Sequence, residues 1–235
     1  MSLRKTIAII GGGAAGFFSA ISAAQEAKEK GLSVDIRIFE ATEDYLQKVK
    51  ISGGGRCNVT HHCYDVKMFC QNYPRGSREL LSPMHKFQAQ DTVEWFEKAG
   101  VHLVAEADGR MFPDTNSSAT IIDCFLHAVD KFQIKLMPNH VVKTIATSAS
   151  SQLKLSFREQ EAFMADAILI ATGSAPGGYR LADSLGHTIA ERAPSLFSFK
   201  IEDPLISELQ GLSFSDVTLK LTLPDKKDFK QKGAV

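Results

Sequence analysis

Three glycines, Gly11, Gly13 and Gly16, stand in the spacing G-x-G-x-x-G inside the stretch TIAIIGGGAAG. Glycines so spaced let a backbone wrap a pair of phosphates. The first permits a sharp turn, the second lets a pyrophosphate approach where a Cβ would stand, and the third lets a helix lie close on a strand. An apolar strand-like run, Ile7 to Ile10, precedes them, and an alanine-rich helix follows. The N–H groups and positive dipole end of that helix suit an anion. The acid such a site needs is Glu40, at the end of a run in which Val34, Ile36 and Ile38 alternate with Asp35 and Arg37. That period of two reads as a strand. A carboxylate at its tip accepts both ribose hydroxyl protons and repels a 2′-phosphate, so NADP is disfavoured at this site.

A second glycine run, SGGGRCNVT, spans Ser52 to Thr60. Three consecutive glycines can fold around an anion or pass flat against a ring. Arg56 could pair with phosphate, and Asn58 both donates and accepts. On local chemistry alone, a flexible loop stays open as the alternative. Cys57 within it is either a small residue in a tight loop or a redox thiol, and no partner thiol is visible in the sequence. His85, His127 and His187 are single histidines without sequence partners, and Arg110 faces substrate or makes a turn ion pair, so no catalytic residue is assigned. Cys57, Cys63, Cys70 and Cys124 form no C-x-x-C pair and read as reduced thiols of the cytoplasm. The group His61, His62, Cys63 and Cys70 lacks the ligand spacing of structural zinc, and no metal is expected.

The elements that must hold these residues follow from patterning. The helix after the first glycines runs from Ala14 to Lys30, with Phe17, Phe18 and Ile21 on its inner face and Gly31 as its stop. A polar connection carries Glu43, Asp44, Lys48 and Lys50. Cys63 to Met84 reads as an irregular surface excursion or lid, and Asp91 to Ala99 as a short amphipathic helix that buries Trp95. A strand over Val101–Ala105 leads to a turn and break at Asp108–Pro113. Ser118 is the expected N-cap of a helix to about Lys131. Strands follow near Ile134–Met137, Val141–Thr147, Leu153–Arg158 and Ala162–Met164, the second and third as a hairpin across a Ser-rich turn. The apolar run AILIA, Ala167 to Ala171, predicts a fully buried parallel strand ending at Thr172-Gly173, followed by a short helix over Tyr179–Leu185. From Ala193 the pattern turns to clean alternation, in LFSFKIED and DVTLKLTL, as in antiparallel β structure. The expected division is 1–192 and 193–235.

Composition bounds the function. Of 235 residues, 44% are hydrophobic and 23% charged, with 27 basic and 27 acidic side chains. This balance offers no nucleic-acid or membrane-surface partner. No apolar run reaches the roughly 20 residues of a membrane span. Arg4 and Lys5 before an apolar stretch imitate a secretory signal, but the glycine triplet inside that stretch favours a Rossmann start, and a cytoplasmic location is expected.

Four motifs together carry a family resemblance: IIGGGAAG at 9–16, KVKISGGGRCNVT at 48–60, GRMFP at 109–113, and ILIATGS with GYRLADSLGH at 168–187. The chain resembles the bacterial NAD(P)/FAD-dependent oxidoreductases, also described as aminoacetone-oxidase-family FAD-binding enzymes, some of them linked to bile-acid double-bond reduction. The resemblance implies an α/β, Rossmann-like FAD-binding domain of glutathione-reductase type, with a parallel sheet, a three-stranded β-meander and the start of an inserted β-rich domain. It places Gly11, Gly13, Ala15 and Gly16, with Gly12 and Ala14 between them, at the pyrophosphate, and Glu40 with its neighbour Ala41 at the adenosine ribose. It runs Lys48 and Gly53, Gly54, Gly55, Arg56, Cys57 and Asn58 along the diphosphate, ribitol and flavin ring. Val142 would meet the adenine through its backbone, and Ala171, Thr172 and Gly173 would close the site. Family members are longer, and they return after the insertion to supply a last strand and helix. The expectation is therefore that this chain alone binds FAD weakly or not at all. GSAPGGY is shorter here than in many relatives, so substrate preference does not carry over. With no second G-x-G-x-x-G, NAD(P)H visits transiently, binds outside these residues, or is replaced by oxygen as the partner of an oxidase. The rival readings are a non-catalytic FAD- or nucleotide-binding module and an NAD enzyme without flavin. A tRNA-modifying flavoprotein is a further relative in fold, which the neutral charge does little to support.

Overall fold

A computed structural model of the chain describes residues 4–148, 152–192, 202–204, 212, 214, 216–222 and 228–233. The chain separates into two compact units, Met1–Ile189 and Ala190–Val235. The first is built on a parallel sheet of four strands, in the order β10 (Ala167–Ile170), β1 (Lys5–Ile10), β2 (Val34–Phe39), β6 (Lys135–Met137). Strand β1 is central because its side chains are apolar on both faces. Ile9 joins Ile36 and Ile38 on one face, while Ala8 and Ile10 join Phe39 on the other.

Each face has its own cover. Helix α1 (Ala14–Glu29) brings Phe17, Ala20, Ile21 and Ala24 onto the first face, beside α6 (Ser118–Lys131) with Ile121, Phe125 and Val129. Helix α5 (Ala89–Lys98) adds Phe96. Trp95 of α5 packs 5.2 Å from Phe18 and 5.7 Å from Phe125, a core role as its spacing predicts. The second face is covered by an antiparallel meander of β7 (Val142–Thr147), β8 (Leu153–Phe157) and β9 (Phe163–Ala165), with Leu181 of α7 (Pro176–Ser184). Leu155 is its buried centre. Helices on one face of a parallel sheet and a three-stranded meander on the other make this a Rossmann-like α/β fold. A small antiparallel sheet, β3 (Thr60–His61), β5 (Arg110–Pro113) and β4 (Leu103–Ala105), stands apart from the parallel one.

Several elements differ from the sequence reading. The stretch Cys63–Met84 is not irregular. It folds as α3 (Val66–Gln71) and α4 (Ser77–Lys86). The Asp65 carboxylate caps α3 by accepting the Met68 N–H at 2.9 Å, and α4 tolerates Pro83 in its last turns. Removing that cap in Asp65→Ala is expected to lower stability by about 1 kcal/mol, read as a shifted urea midpoint. The polar connection before the second glycine run contains a short helix, α2 (Gln47–Ile51). Pro113 ends a strand rather than breaking the chain, since its missing N–H falls at the last residue of β5. Ser117 is the N-cap of α6, and Ser118 instead donates its hydroxyl to the Lys50 carbonyl at 2.9 Å. Strand β10 is not fully buried: it lies at the edge of the sheet among the described residues, and Leu169 is 39% exposed.

In the second unit, β11 (Val217–Leu221) pairs antiparallel with β12 (Phe229–Gly233), as the alternation in DVTLKLTL predicts. The Ser-rich hairpin turn and LFSFKIED, except Glu202 and Asp203, lie outside the described residues.

Candidate dinucleotide site

The first glycine turn sits where the C-terminal ends of three strands meet. The Gly11 N–H donates to the Phe39 carbonyl at 2.8 Å, and the Ala171 N–H donates to the Ile10 carbonyl at 2.8 Å. Gly11 has φ +115°, and a Cβ there would stand 2.5 Å from the Ala171 carbonyl oxygen. At Gly16 a Cβ would strike the Gly11 carbonyl oxygen, so the close seating of α1 on β1 depends on its absence. Gly13 is different. Its backbone is ordinary and extended, at φ −89° and ψ −176°, and a Cβ there would meet nothing within 4 Å.

Gly13 is also the N-cap of α1, with no side chain capping the helix and no acid in its first turn. Ala14 and Ala15 are exposed. Backbone N–H groups at a helix start, with no side-chain acceptor before open space, form a site for an anion. This is the observation against which a bound dinucleotide can be tested, and the residues present fit one.

Glu40 stands beside that turn. Its Oε2 accepts the Gly12 N–H at 2.7 Å, and its Oε1 accepts the Thr42 N–H and the Thr42 hydroxyl, both at 3.0 Å. The backbone continues the convergence. The His140 N–H donates to the Glu40 carbonyl at 2.7 Å and the Asn139 N–H to the Thr42 carbonyl at 3.0 Å. The segment entering β7 is thereby laid along Glu40, Ala41 and Thr42 at Asn139 and His140.

Tyr45 closes the far side of the turn. Its ring limits Gly12, where a Cβ would lie 2.5 Å from Tyr45 Cδ1, and meets Phe17 edge-on at 5.8 Å. Its hydroxyl is buried without a hydrogen-bond partner. Burial, and then the negative charge of Glu40, push the phenol up to about 12 from its ordinary 10. Between those two values the folded protein keeps a proton that the unfolded chain has lost. The contribution of this group is thus fully present below pH 10 and falls as pH rises through the window. The urea midpoint is expected to decline more steeply there in the wild type than in Tyr45→Phe.

The turn after β10 is tied to the same place. Lys48, on α2, donates from Nζ to Ser174 Oγ at 2.9 Å, and that Nζ lies 3.9 Å from where a Cβ of Gly173 would be. The Thr172 hydroxyl is packed against the Gly178 backbone. The Leu46 N–H, just before α2, donates to the Gly12 carbonyl at 2.8 Å. The structure therefore gathers Gly11–Gly13, Glu40, Lys48 and Ala171–Gly173 at one end of the sheet.

The second glycine run leaves directly from α2. Gly53, Gly54 and Gly55 have φ of +56°, +70° and +85°, and Cys57 follows at +62°. Gly53 lies under Phe112, whose Cε1 would be 2.8 Å from a Cβ there. The Arg56 guanidinium donates to Glu106 Oε1 at 2.6 Å and to Asn116 Oδ1 at 3.3 Å, and lies 4.0 Å over the Phe112 ring. Cys57 is buried, and burial pushes its thiol up, away from the thiolate a redox nucleophile needs.

Arg110 makes the turn ion pair, with Asp108 at 2.7 Å. His85, His127 and His187 are exposed and separate. The four cysteines are unpaired, and among the described residues no group of three or more His, Cys, Asp or Glu side chains converges. No helix among them is long and apolar enough to cross a membrane. Sequence reasoning named no role for Thr42, Tyr45, Ser174, Glu106 and Phe112. Thr42 lies two residues after the acid, and Ser174 and Phe112 fall within the motifs ILIATGS and GRMFP, whereas Tyr45 and Glu106 had no local signal.

Residues 5–221 match the model of the HI0933-like protein Rossmann domain. The chain belongs to the HI0933-like family. Among curated proteins, this HI0933-like chain is 26% identical over 214 residues to the 3-dehydro-bile acid delta(4,6)-reductase of Clostridium scindens, covering 88% of this chain and 50% of that protein. It is 24% identical over 213 residues to the ribosomal RNA dihydrouridine synthase of Escherichia coli, covering 87% and 50%. The HI0933-like chain thus spans about half the length of the curated relatives it matches. Its fold is similar to that of 3-ketosteroid-delta4-(5alpha)-dehydrogenase from Rhodococcus jostii RHA1, with a TM-score of 0.51 and 14% identity over 73% of this chain and 46% of that one. It is similar also to a flavocytochrome c3 fumarate reductase, with a TM-score of 0.50 and 20% identity over 71% and 33%. The HI0933-like family is thus one with a Rossmann domain, and its curated relatives here include a reductase.

Proposed function

We propose that this protein is a flavoenzyme that uses FAD to reduce a carbon–carbon double bond conjugated with a carbonyl group in a small organic substrate, with NAD(P)H as electron donor. The uncapped N-terminus of α1, opening at Gly13 beside the Glu40 carboxylate, carries the cofactor part of this reading. The reaction class is supported by the two curated relatives, whose names both describe saturation of a double bond.

FAD supplies the hydride chemistry when bound. The residues supply the rest. The N–H groups of Ala14 and Ala15 and the dipole of α1 would hold the diphosphate. Glu40 would accept from the adenosine ribose hydroxyls. Lys48, which donates to Ser174, would add a positive charge for the phosphates. Gly53–Asn58 would serve the ribitol and ring, Ala171–Gly173 would close the pocket, and Val142 would bound the adenine.

The test is the identity of the nucleotide released from purified protein, by mass spectrometry, followed by anaerobic mixing with NADH or NADPH. FAD that bleaches rapidly, and is reoxidised by an enone or a nucleobase from a substrate panel, is the expected result. FAD that either nucleotide fails to bleach but oxygen reoxidises after substrate reduction makes the protein an oxidase. Absence of any flavin, with no uptake on titration, both from this chain and from a version extended at its C-terminus, overturns the cofactor assignment.

A further inference from the structure

A guanidinium in a loop beside a diphosphate site invites one role, a phosphate ligand. The geometry points to another. We infer that Arg56 is a positioning residue, which clamps the glycine loop 52–58 to the small sheet through Glu106 and Phe112 and so sets the surface that loop presents to the flavin. The inference rests on the FAD reading above and goes beyond it in giving Arg56 a different task.

The loop needs a clamp. Gly53, Gly54, Gly55 and Cys57 all have positive φ, and glycine loses more conformational freedom on ordering than any other residue. Its own backbone bonds converge on one carbonyl, Ser52, which accepts from the Arg56 N–H and from the Cys57 N–H, the latter at 3.0 Å. Its other restraints come from elsewhere in the chain. The Val59 N–H donates to the Met111 carbonyl at 2.9 Å, the Phe112 ring presses on Gly53, and Arg56 reaches Glu106 and Asn116.

The charges around Arg56 are already matched. Glu106 offers Oε1 to Arg56 at 2.6 Å and Oε2 to Arg110 at 3.5 Å. Arg110 is in turn held by Asp108 at 2.7 Å. Both guanidiniums lie on Phe112, at 4.0 and 5.5 Å from its centroid. The two arginines on this ring pair with two carboxylates, so the cluster is neutral. A planar fork stacked on a ring and bonded at its edge to a carboxylate and an amide is a fixed geometry that lysine does not reproduce.

The two roles give opposite results in Glu106→Gln. A phosphate-ligating Arg56 would be freed by the loss of its carboxylate, and FAD would bind as well as before or more tightly. A clamping Arg56 loses its anchor, and FAD binding is expected to weaken roughly tenfold. Arg56→Lys separates them again: a phosphate partner keeps its charge, whereas the clamp loses its stack and its second bond and weakens to a similar extent. The double variant is expected to be no worse than either single one, since both remove one interaction.

A second measurement does not depend on FAD. Hydrogen exchange of the Cys57 and Val59 amides, followed in the apo-protein, is expected to quicken about tenfold in Glu106→Gln, while amides of β1 keep their wild-type rates. Unchanged exchange at Cys57 and Val59, or undiminished FAD affinity in Glu106→Gln, overturns the inference. A wild type that takes up no FAD even when extended at its C-terminus overturns the functional reading instead, and the exchange rates still decide whether Arg56 holds the loop.

Discussion

Gly13→Asp is expected to make the protein slightly more stable and to weaken its hold on FAD severely. The two effects have one cause. Gly13 is the N-cap of α1, its backbone lies in a region any residue adopts, and a Cβ there meets nothing. Aspartate is a better N-cap than glycine by about 0.5 kcal/mol, because its carboxylate accepts from the free N–H groups of the first turn. Those N–H groups are the ones assigned here to the diphosphate, and the introduced charge repels it. Loss of two or so charge-assisted hydrogen bonds corresponds to an affinity lower by on the order of 100-fold. Differential scanning calorimetry of the apo-protein and FAD titration read the two effects separately. A variant that is destabilised, or that binds FAD normally, contradicts the placement of the diphosphate at this helix.

Gly16→Ala, three residues further on, is expected to do the reverse. Its methyl group meets the Gly11 carbonyl oxygen, with the Ile9 Cγ2 at 3.4 Å behind it. Neither can yield easily, because Gly11 is itself held against Ala171 and bonded to Phe39. The helix must lift from the sheet, disturbing Phe17, Ala20 and Ile21 where they meet Ile9 and Ile38. Overpacking of this kind costs about 3 kcal/mol, a large share of the roughly 5–15 kcal/mol that holds a domain folded. The melting temperature is expected to fall by roughly 10 °C. FAD added in excess should recover only part of it. An unchanged melting temperature would mean that α1 and β1 do not approach as closely as they do in this structure.

The pair tests two of the three roles that the glycine spacing predicts, room for a pyrophosphate at Gly13 and close helix–strand contact at Gly16. In the fold Gly16 serves helix–strand contact, Gly11 serves the turn, and Gly13 alone opens onto space.

The period of two in Ile36 and Ile38, the alanine-rich run after Gly13, and the apolar face of Ile121, Phe125 and Val129 were legible because each is a local pattern imposed by one buried face. Strand β10 was misread as fully buried for the same reason. Its composition records apolar neighbours, while its place at the sheet edge is a matter of topology. The helices α3 and α4 were missed because neither presents a long apolar stripe, and α3 rests on a single capping carboxylate.

By itself the sequence determined that a strand, a glycine turn and a helix would form at the N-terminus, that an acid would follow on the next strand, and that a second glycine run would have to fold against something. Local sterics and periodicity suffice for such statements. Only the tertiary structure decided that Lys48 would reach Ser174, that Tyr45 would wall in Gly12, and that Glu106 would take the charge of Arg56, fifty positions away. Partners that distant leave no spacing to read, because packing of the sheet and helices, not the local chain, brings their side chains within a hydrogen bond of each other.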